Sequence, residues 1–92
     1  VLDLAGSLKG PFMQSRVKLK VIGRVQGVFF RQSTLEQARV LSIYGWVANE
    51  RDGTVAIEAQ GQSDQLESFI NWCKKGPPSA VVEQLEIDWQ KE

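Results

Sequence analysis

The sequence predicts an α+β domain in which two helices cover one face of a four-stranded antiparallel sheet. The chain has 92 residues, of which 42% are hydrophobic and 24% are charged, and this size and composition are typical of one folded domain. Segments with apolar residues at every second position predict strands, and segments with apolar residues three and four positions apart predict helices. These segments follow one another in the order strand, helix, strand, strand, helix, strand.

The first predicted strand and the first predicted helix lie on either side of a glycine-containing loop. The strand begins at Arg16 with apolar residues at alternate positions, and residues 23–30 then form the loop. Ser33 and Glu36 have the spacing of a capping box, which predicts that a helix begins at Ser33. Gly45 is predicted to end this helix, because glycine readily adopts the left-handed conformation found at helix C-termini.

The second half of the chain predicts a hairpin, a second helix and a last strand. Strands at 46–49 and 54–60 flank an Asp-Gly pair, which is a strong hairpin signal because both residues tolerate a positive φ. Ser63 is predicted to cap the second helix, which has one apolar stripe and ends before a Gly-Pro-Pro sequence. The last strand is predicted at 81–89, where apolar and acidic residues alternate.

This order of elements is that of the split βαβ, or ferredoxin-like, fold (βαββαβ). Each helix has a single apolar stripe, so both helices can pack on the same face of the sheet. We assign this fold to residues 16–92. Residues 1–15 show no clean periodicity, and we expect them to be a mobile N-terminal extension or a cloning remnant, with Met13 as the natural start.

The composition excludes several classes of catalytic site. The chain has no histidine, so histidine-based acid/base chemistry, Ser-His nucleophilic sites and ordinary His-ligated metal sites are impossible. Its one cysteine, Cys73, excludes an internal disulfide and a zinc site made of cysteines. Cys73 lies on the apolar side of a predicted helix, so we expect an inert, buried thiol. No apolar run is long enough to span a membrane, and the net charge of zero argues against an extended nucleic-acid-binding surface.

The basic residues are concentrated near the N-terminus, where the sequence also has a candidate phosphate-binding loop. Residues 1–31 contain six Lys or Arg and one acidic residue, whereas residues 32–92 contain five basic and ten acidic residues. Residues 23–31 lead from a strand end, through two glycines, to a helix start. Backbone N–H groups of such a loop can converge on an anion, and the planar guanidinium of Arg31 can bind two of its oxygens. Taken alone, the pattern also fits an ordinary strand–helix connection.

The residues around this loop offer no nucleophile. Val25 stands where a tyrosine phosphatase would have its cysteine, and the chain has no Asp-x-Asp pair to supply an aspartyl nucleophile or hold Mg²⁺. Phosphoryl transfer would therefore use water, with positioning and electrostatics supplying the catalysis. An acyl phosphate suits such a site because its leaving group is a carboxylate, whereas a phosphate monoester has a poor alkoxide leaving group.

Three segments closely resemble the acylphosphatase family: Gly-Arg-Val-Gln-Gly-Val-Phe-Phe-Arg at 23–31, Gly-Trp-Val-Ala-Asn at 45–49 and Asp-Gly-Thr-Val at 52–55. The resemblance covers residues 16–90 and implies the ferredoxin-like fold inferred above. It also implies hydrolysis of the carboxyl–phosphate anhydride bond of acyl phosphates to a carboxylate and inorganic phosphate, by direct water attack without metal, cofactor or covalent intermediate. We expect a cytoplasmic monomer that binds a small acyl phosphate, is inhibited competitively by inorganic phosphate, and has no nucleic-acid or membrane partner.

The resemblance further implies the roles of the site residues. Arg31 would bind the phosphoryl group through its guanidinium, and Asn49 would hold the attacking water through its side-chain amide. The proton of that water would pass to an oxygen of the substrate's own phosphate. The phosphate would be cradled by the backbone amides of Arg24, Val25, Gln26, Gly27, Val28 and Phe29. Without the resemblance, Asn49 would be interpreted as a turn residue beside the hairpin.

Two other functions remain open at the level of the sequence. A non-catalytic regulatory module of the same fold could bind phosphate or carbamoyl phosphate without useful turnover, as part of a larger protein. An RNA-binding domain of the RRM type has the same order of elements, but it needs exposed aromatic residues on its two central strands. Those strands have instead the aliphatic residues Val21, Ile22, Val55 and Ile57, which disfavours RNA binding.

Overall fold

The computed structural model describes residues 2–3 and 14–90, which form five strands and two helices. The strands are β1 (Leu2–Asp3), β2 (Gln14–Arg24), β3 (Tyr44–Asn49), β4 (Val55–Gln62) and β5 (Val81–Gln90). The helices are α1 (Phe30–Val40) and α2 (Ser63–Cys73). The strands form one antiparallel sheet in the order β1-β3-β4-β2-β5.

Strands β2 to β5 and the two helices confirm the predicted ferredoxin-like fold. β2 and β4 lie side by side at the centre of the sheet, with β5 next to β2 and β3 next to β4. β1 adds two residues along the outer edge of β3, where Leu2 pairs with Val47 and Asp3 with Trp46. Periodicity could not predict β1, because two residues are too few to show an alternation.

The core lies between the sheet and the helices, as the alternation of apolar residues predicts. In β2 the side chains of Val17, Leu19 and Val21 are buried, and the lysines between them are exposed. Their neighbours across the strand pair in β4 lie on the same face and are also buried. The helices close this face with the buried apolar residues Phe30 and Ala38 from α1, and Leu66, Phe69, Ile70 and Cys73 from α2.

The first helix begins and ends at residues other than those predicted. α1 begins at Phe30, with Phe29 as its N-cap, so the predicted start at Ser33 was wrong. The N–H of Ser33 donates to the carbonyl oxygen of Phe29 at 3.0 Å, which is an ordinary bond of the first helical turn. The helix ends at Val40, and the residue with a left-handed conformation after it is Ser42, with φ 56°, and not Gly45.

Gly45 has a different structural role from the predicted helix stop. It lies in β3, and a Cβ atom at this position would come within 1.8 Å of the carbonyl oxygen of Glu58 on β4. Any side chain there would push the two strands apart, so glycine is required for the close approach of their backbones. As a result β3 begins at Tyr44, before the predicted start at residue 46.

The second helix begins where the sequence predicts it, although its cap differs. Ser63 is the first residue of α2, and Gln62 precedes it as the N-cap in an extended conformation. The helix ends at Cys73. Gly76 then follows with φ 69°, and its N–H donates to the carbonyl oxygen of Trp72 at 2.8 Å. This left-handed glycine is the stop signal expected from the Gly-Pro-Pro sequence.

The predictions for the N-terminal segment are tested only in part. Gln14 and Ser15 belong to β2, where they pair with Gln62 and Gly61, so the strand begins before Arg16. Met13 and most of residues 1–15 lie outside the described residues, so the natural start at Met13 and the mobile extension remain predictions. Neither α1 nor α2 is long and apolar enough to cross a membrane.

Candidate active site

The loop between β2 and α1 leaves the sheet at a bulge and turns on a glycine. The pairing of β2 with β5 shifts register between Ile22 and Gly23, and a Cβ on Gly23 would lie 2.2 Å from the carbonyl oxygen of Val81. Gly27 has φ 74°, a conformation that glycine adopts without strain. Within the described part of the chain, nothing but its immediate neighbours lies within 4 Å of where its Cβ would be. The backbone at Gly27 therefore faces open space.

Both ends of this loop are anchored in the protein interior. Val25 and Phe30 are each 1% exposed and belong to the hydrophobic core. Between them, the carbonyl oxygen of Val28 accepts a hydrogen bond from the Ser79 hydroxyl at 2.7 Å. These three contacts hold the loop in one conformation, so its N–H groups are preorganised for a ligand.

The backbone N–H groups of residues 25–29 are available to a ligand. Within residues 14–90, none of them donates a hydrogen bond to a backbone or side-chain acceptor. The loop runs directly into the N-terminus of α1, which contributes a partial positive charge, and the first turn of α1 has no acidic residue to neutralise it. Unengaged N–H groups beside a helix N-terminus form an anion-binding site that suits a phosphate.

A cavity of about 270 Å³ opens beside this loop and contains both predicted catalytic side chains. Arg31 lines it from the first turn of α1, and Asn49 lines it from the end of β3. The other lining residues are Val25, Gly27, Phe29, Phe30 and Gln32. The fold therefore brings an arginine and an amide from two different elements to one loop of free N–H groups.

Arg31 has no carboxylate partner among the described residues. The ion pairs within residues 14–90 join Arg16 to Glu58 at 4.0 Å and Lys20 to Asp52 at 3.5 Å, and both lie away from this cavity. Arg31 is partly buried in the cavity wall, so its guanidinium can engage an anion that enters.

The side chain of Gln26 ties the loop to the hairpin that follows Asn49. Its Nε2 donates hydrogen bonds to the carbonyl oxygens of Glu50, at 2.7 Å, and Thr54, at 2.9 Å. The same Thr54 oxygen accepts the N–H of Glu50 at 2.9 Å, within the hairpin itself. Two bonds from one amide therefore fix the β2–α1 loop relative to the strand end that carries Asn49.

We expect Gln26→Glu to lower the free energy of unfolding by about 1–3 kcal/mol. The variant keeps the shape of the side chain but places a carboxylate without donors against two carbonyl oxygens. Urea unfolding measures the change. Gln84→Glu, at an exposed position on β5, is the matched control and should change stability by less than about 0.5 kcal/mol. Equal stabilities of Gln26→Glu and the wild type would contradict the role of this amide.

Asp52 stabilises the hairpin from inside its turn. Its Oδ1 accepts hydrogen bonds from the Thr54 hydroxyl at 2.6 Å and from the Thr54 N–H at 3.0 Å. Its Oδ2 lies 3.5 Å from the Nζ of Lys20. The Thr54 hydrogen bonds, followed by the charge of Lys20, lower the pKa of Asp52 below its ordinary value of 3.8.

This lowered pKa predicts a pH dependence of stability. Because the folded-state pKa lies below the unfolded-state value, the Asp52 carboxylate stabilises the fold above pH 3.8, and this contribution is lost as the pH falls through the folded-state pKa. We expect the urea midpoint of the wild type to fall more steeply below about pH 4 than that of Asp52→Asn. Parallel pH profiles for the two proteins would show that Asp52 makes no such contribution.

Cys73 does not belong to the site. It is buried at the end of α2, and burial raises the pKa of its thiol, so it is uncharged at neutral pH. The predicted burial of Cys73 is thus confirmed, and the inertness of its thiol stays a prediction. In the segments that the structure describes, no three His, Cys, Asp or Glu side chains come close enough together to hold a metal ion.

Five of the eight predicted site residues line the cavity, whereas Arg24, Gln26 and Val28 do not. Arg24 is the last residue of β2 and is exposed, while the side chain of Gln26 binds the hairpin and that of Val28 packs against the core. Ser79, which holds the loop from 51 positions away, could not be predicted because no sequence signal marks it. Gln32, which lies next to Arg31 and lines the cavity, was not predicted either.

A larger cavity of about 500 Å³ lies on the opposite, open face of the sheet. Lysines of β2 face acidic residues of the neighbouring strands in this cavity. Lys18, for example, pairs with Glu58 of β4 on one side and with Asp88 of β5 on the other. Among the described residues this lining has two lysines and five carboxylates, so its charge is negative overall and disfavours a phosphate, and it includes neither Arg31 nor Asn49. The smaller cavity, which Arg31 and Asn49 line, is therefore the candidate active site.

Comparisons with known proteins bear on the family of this chain. A family model described as acylphosphatase matches residues 17–92. An acylphosphatase from Salinibacter ruber is 49% identical over 76 residues, which are 83% of this chain and 80% of that protein. The crystal structure of acylphosphatase from Bacillus subtilis superposes with a TM-score of 0.82 at 35% identity, over 85% of this chain and 87% of that one. Full-length HypF, in its phosphate- and nucleotide-bound form, superposes with a TM-score of 0.79 at 27% identity, over 96% of this chain and 11% of that one.

Proposed function

The chain belongs to the acylphosphatase family and hydrolyses acyl phosphates to a carboxylate and inorganic phosphate, and on that basis we propose that the cavity beside the β2–α1 loop is its active site. One observation carries the proposal: Arg31 and Asn49 line one cavity beside the loop whose N–H groups, at residues 25–29, are unengaged within residues 14–90. The reaction needs hydrogen-bond donors for the phosphoryl oxygens and a polar group that binds one water molecule. The loop N–H groups and Arg31 supply the donors, and Asn49 binds the water.

The phosphoryl group binds in the loop. The N–H groups of residues 25–29, with that of Arg24 at the start of the loop, donate hydrogen bonds to its oxygens, and the Arg31 guanidinium binds two of them. These donors are held by the buried side chains of Val25 and Phe30, so they need no reorganisation when charge shifts during the reaction. They therefore stabilise the transition state as well as the bound substrate.

Asn49 orients the attacking water. Its amide oxygen accepts a hydrogen bond from the water, whose lone pair then faces the phosphorus opposite the carboxylate leaving group. The new P–O bond forms as the bond to the carboxylate oxygen breaks, and the carboxylate leaves with the bonding electrons. The proton of the water passes to an oxygen of the phosphate, so the products are a carboxylate and protonated inorganic phosphate.

The lining of the cavity suits this reaction and not the hydrolysis of ordinary phosphate esters. Among the residues that the structure describes, Arg31 is the only ionisable one in the lining, and because arginine stays protonated, these residues supply no general acid for a leaving alkoxide. A carboxylate is a good leaving group and needs none. Anion-binding groups without a general acid therefore favour acyl phosphates over phosphate esters as substrates.

The same site supports proposals for the inhibitor, the oligomeric state and the cellular location. Inorganic phosphate presents the oxygens that the loop binds, so it acts as a competitive inhibitor as well as a product. One chain supplies every group of the site, which supports a monomer with residues 16–92 as the catalytic domain. Acyl phosphates are charged and do not cross membranes, so we place the enzyme in the cytoplasm with its substrate.

A titration with inorganic phosphate, followed by ¹H–¹⁵N NMR, tests this site. We expect saturable shifts of the amides of residues 25–29 and of the Arg31 side chain, at phosphate concentrations that also inhibit acetyl phosphate hydrolysis competitively. Sodium chloride at equal ionic strength is the control and should leave these signals in place. Shifts centred on Lys18 and Lys20 would instead place the anion on the open face of the sheet.

A further inference from the structure

Phe29 is exposed although it is one of the largest apolar residues in the chain. It is 77% exposed, whereas the next residue, Phe30, is 1% exposed and packs against Trp72 with ring centroids 5.6 Å apart. Burial of the Phe30 ring stabilises the fold, but the fold gains little from the ring of Phe29. A purely structural account therefore leaves the side chain at position 29 unexplained.

The backbone at Phe29 is also strained. Its φ of 65° and ψ of 19° lie in the left-handed region, where the Cβ of a bulky residue crowds the following carbonyl oxygen. Glycine would adopt this conformation freely. The N-cap of α1 thus carries a ring that costs backbone strain and buries little surface, a combination typical of functional positions.

The position of the ring relative to the reacting group suggests what it does. Phe29 lines the same cavity as Arg31 and Asn49. When the loop amides and Arg31 hold the phosphoryl group, the acyl part of the substrate extends from them toward the cavity mouth. The other apolar side chains of the lining, Val25 and Phe30, are buried in the core, so Phe29 is the apolar surface that the acyl group meets at the mouth.

We propose that the ring of Phe29 forms the acyl-group subsite, and that it makes this enzyme favour acyl phosphates with an aromatic or large apolar acyl group over acetyl phosphate. This inference rests on the active site proposed above. An aromatic acyl group can stack on the ring and remove apolar surface of both groups from water, whereas an acetyl methyl group covers little of it. The contact lies away from the phosphorus, so it persists in the transition state and raises kcat/KM.

The test is the ratio of kcat/KM for benzoyl phosphate to kcat/KM for acetyl phosphate. This ratio does not depend on how much of a variant is folded, so it remains meaningful for an unstable protein. We expect Phe29→Gly to lower it by about three- to tenfold, and Phe29→Leu to lower it less. Val40→Ala removes another exposed apolar side chain from α1, 76% exposed, and should leave the ratio unchanged. A ratio for Phe29→Gly within about twofold of the wild type overturns the proposal.

Two further measurements separate the possible failures. Phe29→Gly relieves the backbone strain, so its Tm should rise by about 2–5 °C, and a lower Tm would assign the ring a structural role and overturn the proposal.

Arg31→Gln should impair hydrolysis of both substrates. If it leaves both rates intact, the active site itself is wrong. If it impairs both while Phe29→Gly keeps the wild-type ratio, the active site stands and the acyl subsite is wrong.

Discussion

Replacing Arg31 with glutamine is expected to lower kcat/KM for acetyl phosphate by about a thousandfold and to weaken inhibition by inorganic phosphate. Of the described residues that line the cavity, Arg31 alone carries a charge, and its guanidinium acts on oxygens whose negative charge increases in the transition state. Loss of a single preorganised donor lowers the rate of other enzymes about 10²–10³-fold, and the arginine supplies two. Initial rates of hydrolysis and the Ki of phosphate measure both effects.

The matched control for this substitution is Arg39→Gln. Arg39 is exposed in the last turn of the same helix, so the variant loses the same charge outside the cavity and should keep wild-type kinetics. Arg31→Lys keeps the charge but loses the planar fork, and we expect an intermediate rate. Full activity and unchanged phosphate inhibition in Arg31→Gln would show that the phosphate does not bind beside α1.

Replacing Asn49 with alanine is expected to lower kcat by about a hundredfold while the Ki of inorganic phosphate changes by less than about twofold. The amide holds the water and not the phosphoryl group, so its loss affects the reaction step and spares anion binding. Asn49 is exposed at the end of β3, so the substitution should also leave the urea midpoint close to that of the wild type.

The control for Asn49 is Asn71→Ala, at an exposed position on α2. This variant loses the same amide far from the cavity and should have wild-type kcat and Ki. If Asn49→Ala keeps its full kcat, Asn49 does not hold the water. It is then a turn residue, which is the interpretation that the nearby Asp-Gly pair favours in the absence of the family resemblance. A large rise in the Ki of phosphate would instead place the amide on the phosphoryl group.

Much of the fold could be predicted from the sequence because the core is built on simple periodicities. Val17, Leu19 and Val21 alternate in β2 and are all buried, and the stripe of α2 is buried as a whole. The errors lie where tertiary contacts override local signals. Ser33 has the spacing of a cap, yet burial of Phe30 carries the helix one turn further toward the loop. Gly45 resembles a helix stop, but its place is set by the backbone of a neighbouring strand.

The site could be predicted as far as its residues come from contiguous motifs. Residues 23–31 and Asn49 stand in such motifs, and the structure places Arg31 and Asn49 in one cavity. The contacts that hold the loop could not be predicted, because Gln26 and Ser79 bind carbonyl oxygens that any residue could provide. The conformation of Phe29 could not be predicted either, because a left-handed backbone at a bulky residue contradicts its local preference.

Hydrolysis at the β2–α1 loop without a metal ion is tested most directly by the release of benzoate from benzoyl phosphate in excess EDTA. The purified wild-type protein and Arg31→Gln are assayed side by side, and the binding of inorganic phosphate to each is followed by titration. We predict that the wild type turns over equally with and without EDTA, and that turnover and phosphate binding both collapse in the variant. A folded wild-type protein that binds phosphate but releases no benzoate would contradict this account and would be a phosphate- or carbamoyl-phosphate-binding module instead.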